Sequence, residues 1–442
     1  MHSGQLKKGE KLPSKRQLTI KLGVSQTTVE RCYDQLHAEG YIISRARSGV
    51  FIEYDATISL QYQGSSFKCA EPTPSTVASP SMIDFHYGHT DAHSFPLNAW
   101  KKSVTKTFDL HLQRLCDVDD FFGAVELREQ IVDYLFQSRG IKTSANKIVV
   151  GATTSYLLTL VCHMLREQTT VGFEDPGYPR AREIFDLLGK RVIPLHVTSE
   201  GLEVRDLYTH TPEIVYVTAS HQYPLGHMMP INRRMQVLQY AQRHDALIIE
   251  DDFDGEFRSN SQPVPALHAL DHHDNVIYFG TLSRTFLPSL HISYMVLPER
   301  WIERFQRLKS SYKQTVALSQ QLALADFIST GEWAKHLNRM RNVYTKKRIT
   351  MTSELDRLFG SQITIHGDHA ARAILLDVHL QKEEKQLIEE AKHVGVLVYP
   401  TSNAYIRAAP VSTLQFGFGG LHHDDIITGV SKIHKAWAGG HS

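Results

Sequence analysis

The chain has 442 residues, enough for two or three domains, and its 48 Lys and Arg side chains nearly balance 47 Asp and Glu. Hydrophobic residues make up 42% and charged residues 21%, which excludes a disordered or fibrous chain. The net charge of +1 excludes a uniformly basic nucleic-acid coat but is compatible with a small basic module on a neutral body.

Residues 1–54, here called the head, are predicted to contain two helices and a β-hairpin. The predicted elements are helices over residues 14–22 and 25–39 and strands over residues 41–44 and 50–52. Ser25 is a suitable N-cap for the second helix, and Gly40 follows its last turn as a stop. The tip of the hairpin carries two guanidinium groups, Arg45 and Arg47.

The second helix and the hairpin have the composition of a DNA-binding surface. A helix that begins with small polar side chains can place hydroxyl and amide groups at base edges in the major groove, and arginines beside it can hold phosphates. The candidate DNA-binding residues are Lys15, Arg16, Ser25, Gln26, Thr27, Thr28, Arg31, Arg45 and Arg47. The alternative is an ordinary small domain whose charged side chains are only solvated.

Four segments of the head resemble the winged helix-turn-helix of GntR-type repressors. They are residues 12–18 (LPSKRQL), 22–29 (LGVSQTTV), 36–41 (LHAEGY) and 48–51 (SGVF). The resemblance implies double-stranded operator DNA as a partner. The family has a further helix before the segment that matches residues 1–4, which leaves two alternatives: the start of the chain is placed too far downstream, or the head is truncated and its core lacks one wall.

A change in composition separates the head from the rest of the chain. Eight of the eleven residues from 71 to 81 are Ser, Thr or Pro, and the segment 55–82 is predicted to be a linker. Nine basic and five acidic residues give the head a net charge of +4, whereas the remaining 39 basic and 42 acidic residues sum to −3. The small total charge therefore hides a basic head on a weakly acidic body.

Residues 83–442, here called the body, alternate short β-branched segments with longer amphipathic ones. This pattern predicts an α/β fold with a mostly parallel sheet. The predicted elements are strands over residues 147–150, 170–173, 192–195, 214–217, 246–249 and 276–279, and helices over residues 125–138, 154–166, 178–188 and 232–244. We expect a large subdomain over about residues 100–320 and a smaller C-terminal subdomain over about residues 330–442. Ligands bind beyond the carboxyl ends of strands in such sheets, where residues 250–252 and 280–283 are expected to lie.

Several segments of the body resemble the fold-type I, pyridoxal-phosphate-dependent aminotransferases. They include residues 123–128 (GAVELR), 151–154 (GATT), 174–178 (EDPGY), 220–226 (SHQYPLG), 249–254 (IEDDFD) and 280–290 (GTLSRTFLPSL). The resemblance implies the fold-type I aminotransferase fold and a pocket for pyridoxal phosphate (PLP). With the head attached, the chain resembles the MocR-type regulators of the GntR family.

The resemblance places Arg284 where the family has the lysine that bonds covalently to PLP. Arginine stays protonated and its delocalised guanidinium is not a usable nucleophile, so a covalent PLP aldimine is not expected here. Nearby positions also depart from the family pattern: His291 replaces a phosphate-binding arginine, Ser293 a glycine, and Phe253 a tyrosine. We therefore assign no catalytic residue.

Other positions keep residue types that the family uses in its pocket. The resemblance assigns Asp251 to the pyridinium nitrogen, Tyr178 to the ring face, and Arg180 to the substrate side, while Arg407 lies just outside the segment that supplies a carboxylate clamp in the family. The candidate cofactor-binding residues are Gly151, Ala152, Thr153, Tyr178, Asp251, Thr281, Ser283, Arg284 and His291, and the candidate ligand-binding residues are Arg180 and Arg407. The alternatives are structural: Asp251 can cap or pair, Tyr178 can be core, and a glycine turn alone is a weak signal.

Two interpretations of Arg284 stay open. In the first, the site has decayed and the arginine fills lost space. In the second, the guanidinium is a charge anchor that pairs with a phosphate or carboxylate. Lys309 and Lys313 are the nearest downstream lysines that could replace the missing amine, but both are expected on a helix rather than in the loop at the strand end.

A dense cluster of His268, His272 and His273 with Asp271 and Asp274 precedes one predicted strand. Its spacing fits no standard metal site, so we predict a solvated loop there and no metal site in the chain.

These observations predict a DNA-binding transcriptional regulator whose body dimerises and senses a small molecule, without transaminase activity. The expected effector is PLP or an anionic amino-acid-like metabolite, and the expected assembly is a homodimer. One alternative is a PLP-dependent aminotransferase with an accessory DNA-binding head, and another is a scaffold that binds neither DNA nor cofactor. No apolar run approaches the roughly 18 residues of a membrane span, the N-terminus lacks a signal peptide, and four scattered cysteines suggest reduced thiols, so we expect a cytoplasmic protein without a membrane partner.

Overall fold

A computed structural model describes residues 6–54, 82–118, 120–257, 265–367, 372–407, 409–410 and 412–438. The chain divides into two compact units, Met1–Ser79 and Pro80–Ser442. The segment 55–82, predicted to be a linker, lies outside the described residues except for Met82. Within the described ranges, each helix is too short or too polar to cross a membrane.

The head contains the predicted helices and hairpin. Its elements are α1 (Lys15–Leu22), α2 (Gln26–Ala38), β1 (Ile42–Arg45) and β2 (Gly49–Ile52), and the two strands pair antiparallel. Both helices begin at a serine cap: the Ser14 hydroxyl accepts a hydrogen bond from the backbone N–H of Gln17, and the Ser25 hydroxyl accepts one from that of Thr28. Such caps satisfy N–H groups that have no partner inside the helix.

The core of the head is small and is formed mainly by α2 and the hairpin. Val29, Tyr33 and Ile42 are buried together, and the Tyr33 hydroxyl donates a hydrogen bond of 2.6 Å to the carbonyl of Pro13. In contrast, α1 has no fully buried residue, and its Ile20 is 75% exposed. One apolar side of α1 therefore lies open on the surface of this unit.

The body contains the six strands and four helices that were predicted, with shifted ends, together with further elements. Its helices are α3 (Leu97–Leu115), α4 (Val125–Arg139), α5 (Thr154–Met164), α6 (Pro179–Leu187), α7 (Val204–His210), α8 (Ile231–His244), α9 (Leu267–Leu270), α10 (Glu299–Gln306), α11 (Leu318–Ser329), α12 (Glu332–Phe359), α13 (Glu384–His393) and α14 (His423–Ala438). Its strands are β3 (Ile83–Asp84), β4 (Ile148–Gly151), β5 (Thr170–Asp175), β6 (Arg191–Thr198), β7 (Gly201–Leu202), β8 (Ile214–Val217), β9 (Leu247–Asp252), β10 (Val276–Thr281), β11 (Ser293–Val296), β12 (Ile363–His366), β13 (Ala373–Val378), β14 (Val396–Leu397), β15 (Tyr399–Pro400) and β16 (Thr413–Gly417).

The large subdomain is built on an eight-stranded sheet in the order β4-β11-β10-β9-β8-β5-β6-β7. The central strands β10, β9, β8, β5 and β6 are parallel, whereas β11 runs antiparallel between β4 and β10. Alternate residues of β4 enter different core clusters, with Ile148 and Val150 on one side and Val149 on the other. Both faces are thus covered by helices, which confirms the predicted α/β class.

The C-terminal subdomain is an antiparallel sheet, β12-β13-β16-β15, packed against helices. The 28-residue helix α12 joins the two subdomains, because its Trp333 and Tyr344 lie in a core cluster of the large subdomain and its Met351 and Leu355 in that of the small one. This arrangement places the carboxyl ends of β9 and β10 close to β13 and β16.

Candidate functional site

The carboxyl ends of β4, β9 and β10 meet at one cavity of about 240 Å³. Its walls are formed by His86, Tyr87, Gly88, Ala152, Thr153, Thr154, Ser155, Tyr178, Arg180, Tyr223, Asp251, Phe253, Thr281, Ser283, Arg284, Pro288, His291 and Ser293. This is the position expected for a ligand in an open, mostly parallel sheet. The cavity gathers nine of the eleven residues predicted to bind a cofactor or a ligand, all except Gly151 and Arg407.

The start of α5 forms one wall and can hold an anion. Thr153 is the N-cap, and its hydroxyl accepts a hydrogen bond of 3.0 Å from the backbone N–H of Tyr156. The first turn, which includes Thr154 and Ser155, borders the cavity, and N–H groups at a helix start attract phosphate or carboxylate. Gly151 does not line the cavity, and a Cβ there would come within 2.6 Å of the Leu157 side chain, so this glycine serves the packing of α5.

The turn after β10 forms the opposite wall. The hydroxyls of Thr281 and Ser283 both contact the carbonyl of Ile292, at 3.5 and 3.1 Å, and the hydroxyl of Ser293 donates to that of Thr281 at 3.0 Å. His291 is exposed, with a positive φ of 50°. The hydroxyls predicted to face a phosphate therefore already stabilise their own turn, and a ligand would share them.

Asp251 presents an unsatisfied carboxylate oxygen in the cavity wall. One oxygen accepts a hydrogen bond from the Tyr216 hydroxyl, whereas Oδ1 is buried and has no hydrogen-bond partner among the described residues. Burial, reinforced by the neighbouring charge of Asp252, raises the pKa of Asp251 to about 6, against the opposing effects of Tyr216 and Arg284. A buried acceptor without a donor is costly, so this oxygen suits a ligand that brings an N–H group.

Arg284 places a cation between two aromatic rings of the same cavity. Its guanidinium carbon lies 4.8 Å from the ring centroid of Tyr87 and 5.0 Å from that of Phe253. Burial opposes the charge, but Tyr87, Asp254 and Tyr178 outweigh it and raise the pKa of Arg284. Its Nε is buried and lacks a hydrogen-bond partner in the described part of the chain. The side chain is thus a charged group with unused donor capacity, as a charge anchor requires.

No lysine is among the described residues that line the cavity. Lys309 and Lys313, the lysines considered as replacements, are both exposed and lie outside its walls.

Arg372 is a residue of this region that the sequence did not reveal. It precedes β13, is 1% exposed, and donates two hydrogen bonds to Oδ1 of Asp254, at 3.1 and 2.6 Å. Its remaining nitrogen donates to the backbone carbonyl of Arg284 at 2.6 Å. The C-terminal subdomain therefore holds the loop that carries Arg284.

Of the other residues predicted to bind a ligand, Tyr178 and Arg180 lie in the cavity wall and Arg407 does not. Tyr178, directly before α6, and Arg180 both line the cavity, and burial, helped by Tyr87, raises the pKa of Tyr178 to about 12. Arg407 is absent from the described lining. Its guanidinium donates to the carbonyl of Pro194 at 3.2 Å and lies 4.0 Å from the carboxylate of Asp175. A role for Arg407 in ligand binding stays a prediction without support from this geometry.

The histidine-rich segment before β10 is organised by a carboxylate. The side chain of Asp271 accepts hydrogen bonds from the backbone N–H groups of His273, Asn275 and Val276. Burial lowers the pKa of His268 to about 4. Within the described ranges, no group of three His, Cys, Asp or Glu side chains is placed to hold a metal ion.

In the head, the predicted DNA-binding residues lie on the surface. Arg16, Ser25, Gln26, Thr27, Thr28, Arg31, Arg45 and Arg47 are exposed, and Lys15 is half-buried. Arg47 occupies the hairpin tip with a φ of 60°, and the Arg45 guanidinium lies 4.8 Å from the ring of Phe51. The start of α2 and the hairpin tip thus carry polar and cationic groups that a nucleic acid can reach.

Replacing Asp251 by asparagine is expected to raise the thermal stability of the ligand-free protein at pH 8. Burial raises the pKa of Asp251 to about 6 and that of Glu174 to about 7. The folded chain therefore binds these two protons more tightly than the unfolded chain does. Its free energy of unfolding falls as the pH rises from about 4 to about 7 and the protons are lost. The Asp251 contribution is on the order of 3 kcal/mol above pH 7, and its removal should raise the melting midpoint by a few degrees.

Melting curves at pH 5 and pH 8 test this expectation. The exposed carboxylate of Asp356 provides the control, because Asp356→Asn should leave the midpoint nearly unchanged at both values. An Asp251→Asn midpoint at pH 8 no higher than that of the wild type would contradict the assignment of an unsatisfied, buried carboxylate.

Two models of known protein families match the chain, one over the head and one over the body. The model for aminotransferase class I and II matches residues 83–414, and that for bacterial regulatory proteins of the gntR family matches residues 1–52. The kynurenine aminotransferase of Pyrococcus horikoshii, solved in complex with PMP, superimposes with a TM-score of 0.75 at 22% identity over 82% of this chain and 92% of its own. At that identity, the likeness concerns the fold alone.

Several relatives, among them the regulators YdeL and MocR, are similar over almost the whole chain. The uncharacterized HTH-type transcriptional regulator YdeL of Bacillus subtilis is 44% identical over 99% of this chain and 94% of its own length. The probable rhizopine catabolism regulatory protein MocR of Rhizobium meliloti is 31% identical over 98% of this chain and 91% of its own length. Both similarities include the head as well as the body.

Proposed function

The chain belongs to the MocR-type transcriptional regulators, in which a GntR-family DNA-binding domain precedes an aminotransferase class I and II domain, and we propose that its body senses an anionic ligand and thereby controls DNA binding by the head. The observation that carries this proposal is the cavity wall itself. It combines the unsatisfied oxygen of Asp251 with the cation of Arg284 and, among the described residues, offers no lysine.

PLP is the ligand that these groups fit best. Oδ1 of Asp251 would accept the N–H of the pyridinium, the start of α5 would hold the phosphate, and the ring of Tyr178 would cover the pyridine. When bound to a lysine, PLP supplies an electron sink for amino-acid chemistry. Arg284 cannot make that bond, so its guanidinium would pair with an anionic group and hold the ligand without a covalent link.

We further propose that the body forms a homodimer. Apolar side chains of α3 and of the segment after it are open to solvent, among them Phe108 at 48%, Leu112 at 62% and Val118 at 91% exposure. Large exposed apolar side chains that follow one another along an element indicate an interaction surface. A second copy of this chain would cover them and would bring two heads to one operator.

Arg31→Ala and Arg47→Ala are each expected to weaken binding to the DNA upstream of the chain's own gene by about tenfold, because each removes one cation from the exposed surface of the head. Fluorescence anisotropy with the purified, full-length protein measures this effect. Lys21→Ala, an exposed cation at the end of α1 outside the proposed surface, is the matched control. Equal affinities for all four proteins would contradict DNA binding through α2 and the hairpin.

A further inference from the structure

A groove of about 450 Å³ lies between α4 and the start of α12, and the end of α11 borders it. The described residues that line it include none that lines the first cavity. The rings of Tyr134 and Trp333 meet there nearly at right angles, with their centroids 6.1 Å apart, and Ile328 and Leu337 add apolar surface. Such walls favour a flat apolar ring.

The indole of Trp333 brings an unused hydrogen-bond donor to this groove. The residue is 2% exposed, and its Nε1 is buried without a hydrogen-bond partner among the described residues. Most buried donors in proteins have a partner, and a donor left without one costs free energy. An acceptor on a bound molecule would supply the missing partner.

Arg341 brings a positive charge to the same groove. Its Nε donates to the carbonyl of Glu256 at 3.0 Å, and one terminal nitrogen donates to the side chain of Asn338 at 2.7 Å. The other terminal nitrogen has no acceptor in the part of the chain that the structure describes. Asp133 is exposed on the α4 side, where water screens its charge. An anion would therefore bind on the α12 side, at the free edge of the guanidinium.

The donor and the cation lie on one face of α12. Trp333, Leu337 and Arg341 follow one another at intervals of four residues, so they share this face over about 12 Å. The groove thus has an indole N–H towards one end, a guanidinium towards the other, and apolar surface between them. A flat ring with a carboxylate at one end and an oxygen at the other matches this order.

Two walls of the groove are bonded to Glu256, which is itself buried. The Tyr134 hydroxyl donates to Oε1 of Glu256 at 2.8 Å, and Arg341 holds the backbone carbonyl of the same residue. A molecule that fixes Tyr134 and Arg341 would therefore also fix Glu256.

A buried ionic cluster connects Glu256 to the first cavity. The guanidinium of Arg139 lies 3.3 Å from Oε1 of Glu256 and donates a hydrogen bond to the carboxylate of Asp252. Asp252 stands between Asp251 and Phe253, which both line the first cavity. Fixing this cluster would hold the two cavity residues in place, and a site that is already ordered binds its ligand more tightly.

We propose that the groove between α4 and α12 binds a small aromatic carboxylate and that this second effector strengthens PLP binding in the first cavity. The carboxylate binds at Arg341, the ring lies against Leu337 and Tyr134, and an oxygen at its far end accepts the N–H of Trp333. This second site rests on the proposed sensing function, because the effector acts through the affinity for the first ligand.

Calorimetry on the full-length protein saturated with PLP tests the site, with 4-hydroxybenzoate as the probe. Benzoate lacks the oxygen that would accept the indole N–H and is expected to bind about fivefold more weakly to the wild type. 4-Hydroxybenzamide has no charge and is expected to bind about tenfold more weakly.

Two variants assign the two contacts. In Trp333→Phe, 4-hydroxybenzoate and benzoate should bind with nearly equal affinity, and in Arg341→Gln the same should hold for 4-hydroxybenzoate and 4-hydroxybenzamide. Trp301→Phe is the control for the first, because it removes another buried indole N–H without a described partner, outside the groove. Arg339→Gln, which removes an exposed cation of α12 outside the groove, is the control for the second. Both controls should keep the preferences of the wild type.

PLP titrations with and without saturating 4-hydroxybenzoate test the coupling. We expect 4-hydroxybenzoate to tighten PLP binding by about fivefold, and PLP to tighten 4-hydroxybenzoate binding by the same factor. Tyr134→Phe keeps the ring but removes the hydroxyl that contacts Glu256, so the factor should fall to about twofold. Tyr240→Phe, which removes a buried hydroxyl bonded to the carbonyl of Pro212 outside both sites, should leave the factor unchanged.

Three results overturn the second site: no binding of 4-hydroxybenzoate to the wild type, the full preference over benzoate retained in Trp333→Phe, or equal PLP affinity with and without 4-hydroxybenzoate. PLP affinity alone and DNA binding are measured on the same samples. Their presence together with any of these results would remove the groove from the account and leave the proposed function intact, whereas their absence would count against the proposed function itself.

Discussion

Raising the monovalent salt concentration from 50 to 200 mM is expected to weaken DNA binding by a dimer by roughly ten-thousandfold. We expect the exposed guanidinium groups of Arg16, Arg31, Arg45 and Arg47 to make four phosphate contacts per head, and eight in a dimer. Each neutralised phosphate releases counterions, so the logarithm of the affinity falls linearly with the logarithm of the salt concentration, with a slope close to −0.9 for each contact.

The same salt titration on variants shows which residues contribute to the slope of log affinity against log salt concentration. Arg31→Ala and Arg47→Ala should each give a shallower line than the wild type, since each removes one phosphate contact from every head. A slope near zero in the wild type would mean that the basic head does not meet the DNA backbone.

Arg284→Met is expected to weaken PLP binding by about a hundredfold. A charge-assisted contact to a partly buried guanidinium contributes roughly 2–3 kcal/mol, and methionine keeps most of the side-chain volume while removing the cation. Arg300→Met, in which an exposed arginine that pairs with Asp245 is lost, is the control and should bind PLP like the wild type. Equal affinities for Arg284→Met and the wild type would favour the other interpretation, in which the arginine only fills space.

The elements that depend on local sequence could be predicted. Ser25 caps α2 because a serine hydroxyl reaches the backbone three residues ahead, which a short stretch of sequence already specifies. The strands of the large subdomain were predicted because buried parallel strands are short apolar runs between amphipathic helices. β11 was missed, because its sequence, SYMV, contains a single β-branched residue, unlike the strands that were predicted.

Contacts between distant parts of the chain could not be predicted. Arg372 lies 88 residues beyond Arg284, and only the fold brings its guanidinium to that carbonyl. Arg407 lies near the segment that supplies a carboxylate-binding arginine in the family, but this position in the sequence does not tell where its side chain points. In the structure the side chain lies beside Asp175. The sequence suggested that Gly151 contacts a ligand, but the structure shows that a glycine is needed there because a Cβ would collide with the Leu157 side chain of α5.

Some features of the pocket could be predicted from the sequence, and others depend on contacts between distant parts of the chain. The resemblance named Asp251 and Arg284, and the fold places them in the walls of one cavity. The rings of Tyr87 and Tyr223 lie close together in its wall, although the two residues are far apart in the sequence.

We propose that the pocket holds its ligand without a covalent bond, because the resemblance places Arg284 where the family has its lysine. Borohydride reduction of the protein saturated with PLP, followed by mass analysis of the peptide that contains residues 280–290, tests this proposal. We expect no adduct on this peptide, or on any other peptide that lines the cavity, in the wild type, and an adduct at position 284 in Arg284→Lys. A stoichiometric adduct on a cavity peptide of the wild type would contradict the claim.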